Sequence, residues 1–79
     1  MAFYVFLCKE KEDDTSVVYC FSPDEKLFGR LWLDKSNGEI KEMEPVPTNN
    51  SQAVFLRAAI KIRQHWKQGK FPEKTCWAS

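Results

Sequence analysis

The chain divides at its middle into two kinds of pattern. Residues 1–44 alternate short apolar runs with polar punctuation, the signature of strands, whereas residues 51–68 repeat apolar positions at helical spacing. Four runs read as strands: residues 3–8, residues 16–22, Arg30-Leu31-Trp32-Leu33-Asp34 and Glu39-Ile40-Lys41-Glu42-Met43. The first two are rich in β-branched and aromatic residues and flank the charge cluster at residues 9–15, which predicts a hairpin with a solvated connection. Asn37-Gly38 between the third and fourth runs supplies the positive φ angles of a tight reversal. Its register stays open: a two-residue loop pairs Asp34 with Lys41 and Trp32 with Met43, and a four-residue loop pairs Leu33 with Ile40. Ser22-Pro23-Asp24-Glu25 fits either a turn or a capping box, with room for no more than one helical turn before Gly29.

Pro45-Val46-Pro47 removes two backbone donors and carries the chain away from the sheet. Asn49, Asn50 and Ser51 are competent N-caps, Gly69 is a natural stop and Pro72 lies beyond it, so one helix is expected at residues 51–68. At 100° per residue Phe55, Ala59, Ile62 and Trp66 form its apolar stripe with Ala58 beside it, and Leu56 and Ile60 make a second apolar shoulder. The tail, residues 69–79, can fold back to cover that shoulder with Phe71 and Trp77. The expected fold is α+β: an antiparallel meander of three to four strands with one long C-terminal helix on one face, in a single small domain.

Such a sheet has one covered and one bare face, and the bare face should read polar at every second position. Here it does not. Phe3, Val5 and Leu7 alternate with Tyr4, Phe6 and Cys8, and Val17, Tyr19 and Phe21 alternate with Val18 and Cys20. Either the tail and the 22–29 connection shelter the second face, or a second chain does. Trp32, alternating with Arg30 and Asp34, fits an apolar anchor inside a polar rim. Tyr4, Phe6, Tyr19, Phe21, Trp32 and Trp77 are therefore the candidate interface residues.

Composition narrows the alternatives. At 79 residues and 43% apolar content the chain supports one small core, and its 14% aromatic residues are too many for a disordered chain. No apolar stretch approaches the ~18 residues of a membrane span. The start lacks the basic lead of a secretory signal, and Cys8, Cys20 and Cys76 make an odd, dispersed set, so reduced thiols and a cytoplasmic location are expected.

Charge is unevenly shared: residues 1–50 carry a balance of −4 and residues 51–79 a balance of +5. Arg57, Lys61, Arg63, Lys67, Lys70 and Lys74 are the groups a nucleic-acid phosphate backbone would meet, the alternative functional reading. A pI near 7.7 and an acidic sheet half weigh against it. Catalysis has little to build on: the single histidine, His65, sits on the helix with only Cys76 able to approach it, and Gly29, Gly38 and Gly69 are isolated rather than a phosphate loop. No catalytic residue, metal site or cofactor is expected. The sequence points to a small non-catalytic interaction or regulatory module, acting as a homo-oligomer or with another protein.

Overall fold

The structure, a computed structural model, describes residues 4–78. The place expected for Phe3 in the first strand lies outside them. Five strands and one helix follow in the order β1 (Tyr4–Glu12), β2 (Ser16–Ser22), β3 (Gly29–Asp34), β4 (Ile40–Glu44), α1 (Ser51–Gln68) and β5 (Lys74–Ala78). All neighbours are antiparallel, in the order β4-β3-β2-β1-β5. The fold is α+β as expected, with one strand more than the meander anticipated: the tail joins the sheet as β5 along the free edge of β1.

The charge cluster at residues 9–15 is not all connection. β1 runs through it to Glu12, because its charges find partners along the strand. Lys9 Nζ donates to Glu12 Oε1 at 2.7 Å and to the Phe71 carbonyl at 3.0 Å. Lys35 Nζ donates to Glu12 Oε2 at 2.7 Å. A β-bulge makes these contacts possible: Lys9 pairs with Tyr19 and Lys11 with Val18, so the extra residue, Glu10, shifts the alternation and returns Glu12 to the side of Lys9. Only residues 13–15 turn, held by Asp13, whose Oδ1 accepts the amides of Thr15 and Ser16 at 2.8 Å each.

The β3–β4 hairpin takes the four-residue loop. Leu33 pairs with Ile40, Trp32 with Lys41, and the Asp34 amide donates to the Glu39 carbonyl at 2.8 Å. Gly38 has φ of 77°, and a Cβ there would come within 2.7 Å of the Trp66 ring, so the position excludes side chains on two grounds. Ser22-Pro23-Asp24-Glu25 forms a turn and no helix: Ser22 Oγ accepts the amides of Asp24 and Glu25, and Asp24 Oδ1 accepts those of Lys26 and Leu27.

Helix α1 begins after Asn50 and ends at Gly69 in the left-handed conformation, the bounds expected from its caps. Its buried stripe is Val54, Ala58 and Ile62, with Phe55 and Trp66 half-buried at the margin. The stripe is thus turned from the expected line of Phe55, Ala59, Ile62 and Trp66. The cause is β5, which widens the sheet beside β1 so that the helix lies over β1, β2 and β5. The core between the layers is Val5, Leu7, Val17, Tyr19, Phe21, Leu31 and Leu33 against Val46, Val54, Ala58 and Ile62, all at 0–1% exposure. Each large side chain so buried contributes about 1.5–3 kcal/mol.

Three hydrogen bonds fasten the remaining pieces. Tyr19 Oη donates to the Pro72 carbonyl, tying the tail to the core. Trp66 Nε1 donates to the Lys35 carbonyl at 2.8 Å, and an Arg63 guanidinium N–H to the Gly38 carbonyl at 3.1 Å, tying the helix to the β3–β4 loop.

Two substitutions test the rotation of the helix. Ile62→Ala is expected to lower unfolding free energy by about 3 kcal/mol, the cost of a cavity in a closed core. Ile60→Ala, at a side chain 48% exposed, is expected to cost less than about 1 kcal/mol. Equal losses in denaturant unfolding would contradict the placement. Tyr19→Phe leaves the part-buried Pro72 carbonyl without its donor and is expected to cost about 1 kcal/mol by the same measurement.

Candidate functional site: the open face of the sheet

Alternation along the strands sends every second side chain away from the helix. On that side β1 presents Tyr4, Phe6 and Cys8, β2 presents Val18 and Cys20, β3 presents Arg30 and Trp32, and β5 presents Cys76. Among the described residues no helix covers this face. Tyr4 is 39% exposed, and Phe6, Trp32, Cys8 and Cys20 are half-buried. Val18, flanked by Lys11 and Trp32 in the register, is fully buried.

The apolar groups are crossed by one polar line. The register sets Glu44 beside Arg30, Arg30 beside Cys20, Cys20 beside Cys8 and Cys8 beside Lys74, a row spanning all five strands. Arg30 bridges carboxylates on both sides: Nη1 lies 2.9 Å from Glu44 Oε1, and Nε and Nη2 donate to Glu10 Oε1. The guanidinium holds the Glu10 carboxyl below the usual carboxylate range. Exposed pairs of this kind contribute at most about 1 kcal/mol each, so the row orients side chains more than it stabilises the fold. Cys20 Sγ donates to the other Glu10 oxygen at 3.6 Å, and burial, followed by Glu10, pushes the thiol up. Lys41 Nζ stands 5.6 Å from the centre of the Trp32 ring, a cation–π contact that shields one side of the indole.

The six expected interface residues divide into three on the open face and three under the helix. Tyr4, Phe6 and Trp32 lie on the open face as expected. Tyr19 and Phe21 do not: both point under the helix with no exposure, because the β1–β2 register puts them opposite Lys9 and Leu7 on the covered side. Trp77 also faces the helix, half-buried with the Arg57 guanidinium 5.4 Å from its ring centre. The cysteines are the open-face groups that sequence reasoning passed over, although the alternation that places Tyr4 and Phe6 there places Cys8 there too.

The tail does not cover the Leu56/Ile60 shoulder. β5 occupies the opposite flank, and Leu56 and Ile60 stay 47% and 48% exposed beside a shallow cleft formed with Phe55, Ala59 and Ile40. The six cations of the alternative reading are divided by the same geometry. Arg57 stacks on Trp77, Lys61 and Lys74 flank the β5 edge, and Arg63 reaches across to Gly38 on the other side of the helix. His65 Nε2 is 3.1 Å from Thr75 Oγ1 under the helix, whereas the next residue, Cys76, belongs to the open face, so the strand separates the imidazole from that thiol. Among the described residues no three His, Cys, Asp or Glu groups gather where they could hold a metal ion, and no helix is long and apolar enough to cross a membrane.

Comparison with known proteins gives no match: no family model, no curated protein and no solved structure is similar to this chain.

Burial, and after it the neighbouring Lys61 charge, hold the His65 pKa below its usual value. The unfolded chain therefore takes up this proton near pH ~6.5 and the folded protein only lower. The stability due to the neutral imidazole is present above about pH 6.5 and is lost as pH falls below it, before carboxylates such as Glu12 and Asp13, which their hydrogen bonds hold below the usual carboxylate range, take up protons. His65→Gln is expected to flatten the fall in unfolding free energy between about pH 7 and about pH 5.5; an unchanged slope would refute this assignment.

Proposed function

We propose that the protein is a small non-catalytic interaction module that associates with a second copy of itself through the open face of the sheet. The observation that carries this reading is that Tyr4 is exposed and Phe6 and Trp32 are only half-buried on a face that alternation should have made polar and that no helix among the described residues covers. The polar row supports a second copy as the occupant. It is anionic at one edge, Glu44 on β4, and cationic at the other, Lys74 on β5. A two-fold axis lying between the faces and running along the central strand β2 sets each Lys74 across from the partner's Glu44 and each Cys20 across from its own counterpart. Such an isologous contact satisfies both edges at once.

Size makes the association weak. Five strands span about 24 Å, and with about 20 Å along the strands the face offers on the order of 500 Å² per copy. A pair buries roughly 1,000 Å², the lower edge of specific interfaces. The module belongs to the class of transient, concentration-dependent partners, and its unpaired thiols suit the reducing cytoplasm.

Sedimentation equilibrium over a rising protein concentration is expected to show a reversible monomer–dimer transition. Trp32→Glu is expected to lower the association constant by about thirtyfold, close to 2 kcal/mol, with far-UV circular dichroism unchanged. Lys74→Glu should lower it about tenfold, and Lys74→Glu combined with Glu44→Lys should restore it. A monomer throughout the range, or equal dimerisation of all variants, would remove the reading.

A further inference from the structure

The three cysteines converge on the open face, and two of them are direct partners. Cys8 on β1 pairs with Cys20 on β2, while Cys76 on β5 lies opposite Phe6, one diagonal step from Cys8. All three are free thiols, Cys8 and Cys20 half-buried and Cys76 exposed.

The backbone sets the geometry of the pair. The Lys9 amide donates to the Glu73 carbonyl at 2.7 Å, on the β5 side of β1. Successive amides of a strand point to opposite neighbours, so the Cys8 amide turns to β2 and Cys8 faces Cys20 as a hydrogen-bonded pair, with Cα atoms ~5.5 Å apart. That separation falls inside the ~4.4–6.8 Å range that disulfides span, and both side chains leave the same face. The Cβ atoms of such a pair stand ~5.5 Å apart against the ~3.5–4.5 Å of a disulfide, so closure draws the two strands together and leaves a strained, readily reduced bond. Cys76, on the diagonal at ~7–8 Å, is beyond that reach.

We propose that Cys8 and Cys20 form a redox-active dithiol, closed into a cross-strand disulfide within one chain by a low-molecular-weight disulfide such as oxidised glutathione. Cys20 donates to Glu10, and burial followed by that carboxylate pushes its thiol up, so Cys8 Sγ makes the first attack. Cys8 Sγ attacks one sulfur of the small disulfide, its S–S bond breaks, and the first small thiolate leaves and takes a proton. The Cys20 thiol then gives its proton to solvent and attacks Cys8 Sγ, and the mixed disulfide breaks to expel the second small thiolate, which takes up a proton from solvent. Two protein thiols are oxidised and one small disulfide is reduced to two thiols. The new bond staples β1 to β2 and replaces two thiols in the middle of the open face. It depends on the β1–β2 register alone and stands whether or not the chain self-associates.

The test uses the folded Cys76→Ser protein at low micromolar concentration, incubated with oxidised glutathione, quenched in acid and weighed as the intact chain. The expected product has lost two hydrogens, yields one peptide joining the Cys8 and Cys20 segments, and returns to the starting mass with dithiothreitol. Adding Cys20→Ser is expected to halt the reaction at a single stable glutathione adduct on Cys8. Glutathione adducts on both thiols that never resolve, an unchanged mass, or a bond joining two chains through Cys20 would each overturn the proposal. The last of these would still support the proposed dimer, so the two readings fail separately.

Discussion

The pairing of β5 with β1 governs the rest of the molecule. Once residues 74–78 lie along β1, that strand becomes interior, the sheet gains a fifth member on one side only, and the single helix moves over β1, β2 and β5 to stay above the apolar centre. Trp77 then meets Arg57, His65 meets Thr75, and the helix turns until Val54, Ala58 and Ile62 point down. The same displacement leaves Leu56 and Ile60 outside. Tyr19 anchors the arrangement from beneath, donating to the Pro72 carbonyl just before β5 begins, and Lys9 does the same for Phe71.

A helix about 27 Å long and about 10 Å wide cannot roof five strands on both sides. The chain resolves the covered side into a closed core of eleven residues and leaves the other to its own side chains. Those side chains are large and apolar near Tyr4, Phe6 and Trp32, and charged along the row through Arg30. On that surface Tyr4 is exposed while Phe6 and Trp32 are half-buried, where an uncovered sheet face ordinarily carries polar side chains. Its chemically distinctive groups are three thiols and one guanidinium between two carboxylates.

Much of the fold was legible because local rules acted alone. Gly69 closed the helix in the left-handed conformation and the helix began after Asn50, although that side chain makes no capping hydrogen bond; the alternation of strands one to three matched their registers, and Asn37-Gly38 marked the hairpin. The misreadings share one cause. Residues 9–12 read as a connection because the partners of their charges, Lys35, Arg30 and Phe71, lie 20 to 62 positions away along the chain. The tail read as a cover because a five-residue strand, Lys-Thr-Cys-Trp-Ala, carries too little alternation to announce itself without its neighbour. Tyr19 and Phe21 read as interface groups because apolar residues at consecutive positions do not say which set faces the helix.

The sequence by itself determined the elements, since capping, turn chemistry and hydrophobic period depend on residues within a few positions of one another. It also determined that strands one and two would be apolar on both sides. Only the tertiary structure decided which side the helix takes and where the tail lies, because those outcomes follow from one pairing between chain ends about 70 residues apart, and no local preference encodes the free energy of closing that contact.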